Sequence, residues 1–363
     1  TQLYNIDYEE EIATLGEIAG VLFDVFNGAD FSGGTGAFED LPIDGTFVRG
    51  VFDDIAGSDV IMLITESLLL PMLDDPESDI SNIIKVPDNL NIHAEYLALG
   101  EIFAQIIDAD IPFSELENAD VSVFLNAASK VNLEILLDSQ LVTEALINIL
   151  SGEAGIEGLD ILSIPDGIEW RDTYDGDTLV PGELRNILAA LNAISAAAAD
   201  LDFANLDINM LTEMDDSAIE TFFGSYVIRA TVTDLVREMD LGSLPLVFPD
   251  DIYDDYGYFS EDELIAVVKA VKLIMADSGD GFDIIQALSL TPTEIDTLLD
   301  SQIIYATVGQ KLYELGSSTL IIPSDALTTV EVNTADVSIV NDTEIKNILQ
   351  ALSVLGITDL DTM

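Results

Sequence analysis

At 363 residues, 49% of them apolar, the chain carries ample material for buried cores, which excludes a disordered polymer. Its 11 Lys and Arg against 69 Asp and Glu leave a net charge of −58, which excludes the basic clusters that grip nucleic acid or anionic membrane and points to cations as partners. There is no cysteine, so disulfides, thiolate chemistry and cysteine-ligated zinc or iron–sulfur centres are excluded, whereas an oxidising exterior stays compatible.

The first predicted element is a helix built on Leu15, Ile18, Ala19 and Leu22, apolar positions spaced three and four apart on one face. The pattern returns at Leu99, Ile102, Phe103 and Ile106, and at Leu184, Ile187, Leu188, Leu191 and Ile194. It returns twice more, at Leu264, Val267, Val268 and Val271 and at Ile345, Ile348, Leu349 and Leu352. Successive copies stand 84, 85, 80 and 81 residues apart, a period of about 82. After each of the first four comes Ala-Asp: Ala29-Asp30, Ala109-Asp110, Ala199-Asp200 and Ala276-Asp277.

A second helix follows and closes at a small or acidic residue plus serine: Gly57-Ser58, Asp138-Ser139, Gly224-Ser225 and Asp300-Ser301. Thr291 to Glu294 marks its start as a capping box with proline at the first helical position, and Ser129 and Asp215 stand at the matching places. A third helix comes after the serine, as in Leu141 to Leu150 and Ile303 to Leu315, and ends near Gly152, Gly242 and Gly316. Next is an aliphatic run closed by proline and an acid: Ile83 to Asp88, Leu159 to Asp166, Leu244 to Asp250 and Leu320 to Asp325. Each reads as a short strand stopped by its proline, and a second extended piece, clearest at Thr328 to Val332, completes a small hairpin. The longest apolar run, Val60 to Leu73, contains Glu66 and Pro71 and falls short of the roughly 20 residues a membrane-spanning helix needs.

The expected fold is mainly α with short β-hairpins: a tandem array of about four repeats of ~82 residues, each with three helices and a small hairpin. Residues 1–12 read as the end of a preceding repeat, 13–94, 95–180, 181–260 and 261–340 as the four repeats, and 341–363 as the first helix of a fifth. Asn341 and Glu344 form that last helix's capping box, and the chain reads as a window on a longer array.

Three acidic loops are candidate Ca2+ sites, because hard cations take carboxylate and carbonyl oxygens. In the first, Asp172 and Glu183 stand at positions 1 and 12 of a calcium-type loop, with Asp175 and Asp177 between them. Gly176 and Tyr174 depart from that pattern, and a strand is expected before the loop where an EF-hand has a helix. The second holds Asp254, Asp255 and Glu263, although Ser260 and Glu263 also read as an ordinary capping box. The third holds Asp277, Asp280 and Asp283 among glycines and equally reads as a plain turn.

Enzyme chemistry finds little footing: the single histidine, His93, has no second histidine or cysteine to join in a zinc site or triad. Acids are so abundant that no carboxylate pair stands out as a hydrolase centre. Trp170, Tyr174, Tyr253, Tyr256 and Tyr258 gather at two hairpin-to-helix junctions, where they read as packing before they read as a binding face.

The proline-closed ends at Ile164-Pro165-Asp166 and Ile322-Pro323, the absence of cysteine and the acidic surface together resemble the tandem-repeat regions of very large bacterial cell-surface proteins, adhesins and stalks among them. The resemblance spans the whole chain and rests on architecture and composition. It implies a non-enzymatic extracellular structural or adhesive protein, a rod or stalk whose junctions Ca2+ stiffens. Two other readings stand beside it: a subunit that assembles with copies of itself into an extracellular filament or surface layer, and a carboxylate-based hydrolase.

Overall fold

The computed structural model describes residues 7–28, 44–73, 83–109, 131–152, 162–197, 208–238, 246–276, 290–319 and 322–355. Ala29, Asp30, Asp110, Ser129, Ala199, Asp200, Gly242, Asp277, Asp280 and Asp283 lie outside the described residues. The chain forms two compact bodies, one of residues 1–162 and 168–205, the other of 163–167 and 206–363. Both are mainly helical, and each carries one small antiparallel sheet.

The first body opens with α1 (Tyr8–Gly28), α2 (Gly45–Gly57) and α3 (Asp59–Ile64), which runs through a π turn (Thr65–Leu69) into α4 (Leu70–Leu73). α5 (Ile92–Asp108) lies along α2. That contact is close because Gly100 offers no side chain: a Cβ there would stand 2.4 Å from Cβ of Phe52, whose ring stacks on Phe103 at 5.8 Å. Polar rungs flank it, with Arg49 Nε donating to Glu101 at 2.6 Å and the Gly45 amide to Asp108 at 2.9 Å. α6 (Leu133–Asp138) and α7 (Gln140–Leu150) follow, then the hairpin β1 (Thr173–Asp175) and β2 (Thr178–Val180), then α8 (Glu183–Ala197). The face predicted for α8 is the buried one: Leu184, Ile187, Leu188, Leu191 and Ile194 are all 5% exposed or less.

In the second body α9 (Ile208–Glu213), α10 (Asp216–Phe223) and α11 (Tyr226–Glu238) precede α12 (Glu261–Ala276). α13 (Pro292–Leu299) starts at the predicted capping box, with Thr291 and Glu294 bonded reciprocally, and α14 (Gln302–Thr319) follows. The hairpin β3 (Leu327–Val332) and β4 (Ala335–Val340) packs on α14, and α15 (Asp342–Leu355) completes the body. Its two-residue turn places Asn333 and Thr334 at φ 50° and 63°, the left-handed geometry that matches strand twist in tight hairpins. Both turn amides donate to the Asp250 carboxylate at 2.8 Å, which stabilises a conformation that non-glycine residues otherwise avoid.

Two expectations need correction. Among the described residues the proline-closed runs pair with no strand. They are extended straps laid against helices: Asn148 donates to the Ile83 carbonyl at 3.0 Å, and the Ser163 and Val247 amides donate to Thr231 and Thr307 at 3.0 and 2.9 Å. A strand needs partners on its edge, and here helix side chains satisfy the backbone instead. Gly316 does not end the third helix, since α14 continues to Thr319 and Gly316 makes room for the Ile322 side chain. Gly152 does end α7, at φ 78° with its amide on the Ile149 carbonyl.

Candidate functional site

The most elaborate polar geometry is a carboxylate that joins two helix N-termini, and it occurs three times among the described residues. Glu95 sits in the first turn of α5, 4% exposed. It accepts the Ser139 hydroxyl, the Gln140 amide at 2.9 Å and the Leu141 amide at 3.2 Å. Ser139 is the N-cap of α7 and itself accepts from the Val142 amide. Glu11 holds Ser58, Asp59 and Val60 in the same pattern, and Glu263 holds Ser301, Gln302 and Ile303. Ser58, Ser139 and Ser301 are all fully buried, as is Ser225.

The physical logic follows from helix ends. The first amides of a helix have no intrahelical acceptor, and the N-terminus is the positive end of the dipole. A carboxylate placed there takes up one hydroxyl and two amides, and its charge is favoured by its own helix's first turn as well. Burying a lone carboxylate would cost several kcal/mol, so the three donors are what make the buried position tenable.

Burial still leaves a mark at Glu263, where it pushes the carboxyl above its ordinary value of 4.5, against the opposing bonds from Ser301, Gln302 and Ile303. A carboxyl with a raised folded-state pKa binds protons more readily when folded, so its contribution to stability falls as pH rises from about 4.5 through the raised value. Wild type is therefore expected to lose stability relative to Glu263→Gln across that window in urea unfolding. A pH-independent difference would refute the assignment.

The sequence-predicted cation ligands are placed as follows. Asp172 does not face an open loop: it accepts from the Gly182 amide at 2.8 Å and from Arg185 Nε at 2.8 Å, and Arg185 also reaches Glu134. The Arg185 guanidinium lies beside Asp172 and the Gly182 amide donates to it, which together outweigh burial and hold its carboxyl below the ordinary range. Asp175 and Asp177 are exposed at the β1–β2 turn, and Glu183 is buried in the first turn of α8. Asp254 shapes its own loop by accepting the Tyr256 and Tyr258 amides at 3.0 Å each, while Asp255 faces solvent.

Glu263 accounts for a further correction. Its amide donates to the Ser260 hydroxyl oxygen as the capping box predicts, but its carboxylate accepts from Ser301 in place of the cap amide. Among the described residues no three carboxylate or imidazole side chains converge as a metal would require. Of the aromatic residues expected to pack, Tyr253 stacks on Phe259 at 5.2 Å and Tyr258 lies edge-on to Tyr226 at 5.7 Å, whereas Tyr174 and Tyr256 are 72% and 74% exposed, Tyr256 touching only the edge of Tyr226 at 5.8 Å. No known protein family, curated protein or solved structure matches this chain.

Proposed function

We propose that the chain is a non-enzymatic tandem-repeat segment of an extracellular structural or adhesive protein, a stalk on a bacterial cell surface. One observation carries this reading: the carboxylate–serine lock recurs with the same three bonds at Glu11–Ser58, Glu95–Ser139 and Glu263–Ser301. Glu183 and Ser225 are buried at the intervening places, and Glu344 stands at the next. A second series supports it, since the straps at Ile83, Ser163 and Val247 each bond a helix that follows one of these serines. Spaced repeats of one supersecondary unit that bond forward along the chain suit a mechanical element better than a single reaction centre.

Cations are the partners in this reading. A net charge of −58 repels itself unless screened or bridged, and Asp175, Asp177 and Asp255 remain open to ions. Ca2+ drawing such acids together would stiffen the array where ions are plentiful. The test is thermal unfolding in EDTA, in millimolar CaCl2 and in NaCl of the same ionic strength. Binding to the folded state alone raises Tm with ligand concentration, whereas screening follows ionic strength whatever the ion. The expected result is a higher Tm in CaCl2 than in matched NaCl; equal shifts would reduce the role of ions to screening.

A further inference from the structure

We propose that α15 presents a docking face for the serine-capped helix of another unit of the same design, with Glu344 as the acceptor for its first amides. The inference rests on the tandem-repeat reading above and goes beyond it by naming a surface and what fits there.

Two positions seven residues apart define the face. In α5 they are Glu95 and Ile102, exposed 4% and 5%; in α8, Glu183 and Ala190, 6% and 0%; in α12, Glu263 and Ala270, 4% and 0%. In α15 the same spacing gives Glu344 and Ala351, and there Glu344 is only half-buried and Ala351 is exposed. Seven residues are two helical turns, so each pair lies on one line along its helix.

The neighbours account for the difference. α12 is flanked by α10 and also by α13 and α14, and α14 brings Ser301 to Glu263. α15 packs against α13 and α14 through Ile345 and Leu349, which are buried with Ile295, Leu299 and Val340. α13 packs on α15 as α10 packs on α12. The side that α13 and α14 fill for α12 is the side on which Glu344 and Ala351 lie open.

Glu344 is otherwise arranged as Glu263 is. It sits three residues after its N-cap, Asn341, which accepts its amide at 2.9 Å, as Ser260 accepts that of Glu263. The bond to its carboxylate among the described residues is a long one, 3.4 Å from Asn347 on the same helix. A carboxylate so placed suits a partner offering one hydroxyl and two unpaired amides at the positive end of a helix, followed by aliphatic side chains that cover Ala351 and the part of Ile348 that its own core leaves open.

The probe is a synthetic peptide of residues 290–319, which spans α13, Ser301 and α14, is held helical by side-chain staples on its exposed positions as checked by circular dichroism, and lacks Glu263, the acceptor of the Gln302 and Ile303 amides. Titrated into the isotopically labelled full chain, it is expected to give saturable NMR shifts at Glu344, Ile348 and Ala351. Ser301→Ala in the peptide and Ala351→Glu in the chain are each expected to weaken binding at least tenfold. Ala351 is exposed, so that substitution leaves the fold intact. Absence of these shifts, or shifts that neither substitution alters, would overturn the proposal. The repeat reading is tested separately: if Glu95→Ala and Glu263→Ala both destabilise strongly while the peptide fails to bind, the docking face alone is lost. If only one of the two matters, the repeat reading falls with it.

Discussion

Glu95→Ala is expected to lower the unfolding free energy by about 4 kcal/mol in urea denaturation, a large effect for one side chain. The substitution removes an acceptor and leaves its donors: the Ser139 hydroxyl and the Gln140 and Leu141 amides would be stranded where Ser139 is fully buried. Each buried polar group left without a partner costs about 1–3 kcal/mol, and water entering the gap recovers part of it. Glu95→Gln keeps an acceptor oxygen and loses the charge, so about 1–2 kcal/mol is expected. Ser139→Ala removes the cap of α7 and one donor to Glu95 but leaves both amides served, which places it near about 2 kcal/mol. The ordering Ala at 95, then Ala at 139, then Gln at 95 is the diagnostic. Equal losses for all three would mean that packing volume, rather than hydrogen bonding, sets the stability of the junction.

This junction is only half legible in the sequence. Ser58, Ser139, Ser225 and Ser301 stand out as recurring marks, and the structure makes three of them caps with a described carboxylate partner. The pairing of these serines with glutamates, Glu263 among them, escapes notice for a physical reason. An apolar pattern spaced three and four apart maps onto itself when shifted by one turn, so hydrophobicity fixes that a helix exists and leaves its register open. On the repeat proposed above, matching Leu15 and Leu99 to Leu184 is such a slip. Counted from the buried glutamates, Ile12 and Tyr96 take Leu184's place, and Leu15 and Leu99 fall at Ile187's. The distances from glutamate to serine, 47, 44 and 38 residues, also drift with loop length, which hides the pairing from any fixed spacing. A long-range contact of this kind is set by how helices pack, and one sequence records only its two ends.

The acidic loops show the complementary failure. Oxygen-rich spacing around Asp172 reads as a cation loop, yet with five arginines among its eleven basic residues the chain places one, Arg185, directly on that aspartate. Carboxylates do not report from sequence whether a metal, a guanidinium or a backbone amide will reach them first. The extended run over Thr328 to Val332 and the Thr291 capping box are legible because local backbone preferences set both, whereas the strand that pairs with it is Ala335–Val340 and not the proline-closed run before it. The straps read as strands because an aliphatic run ending in proline has the composition of either.

Gly182→Ala is the other substitution expected to cost heavily, about 3 kcal/mol, although the residue carries no side chain. Its value is space. A Cβ at this position would stand 2.3 Å from the Arg171 carbonyl carbon and 2.6 Å from both the Arg171 and Trp170 oxygens, all of them backbone atoms that no rotamer change can move. The closeness is what closes the start of α8. The Gly182 amide donates to Asp172, the Glu183 amide to the Glu169 carbonyl and the Leu184 amide to the Trp170 carbonyl, so the segment before the β1–β2 hairpin satisfies three amides that the helix cannot. Pushing the two segments of this contact apart would lengthen all three bonds and loosen Arg185 from Asp172. Gly50→Ala is the control: it lies inside α2 with nothing within 4 Å of the place its methyl would take, and alanine there is expected to stabilise by up to about 1 kcal/mol through helix propensity alone. Opposite signs at the two glycines in urea titrations would show that the loss at Gly182 comes from contact. A neutral Gly182→Ala would mean that the approach of residues 170–171 to α8 is looser than the structure has it.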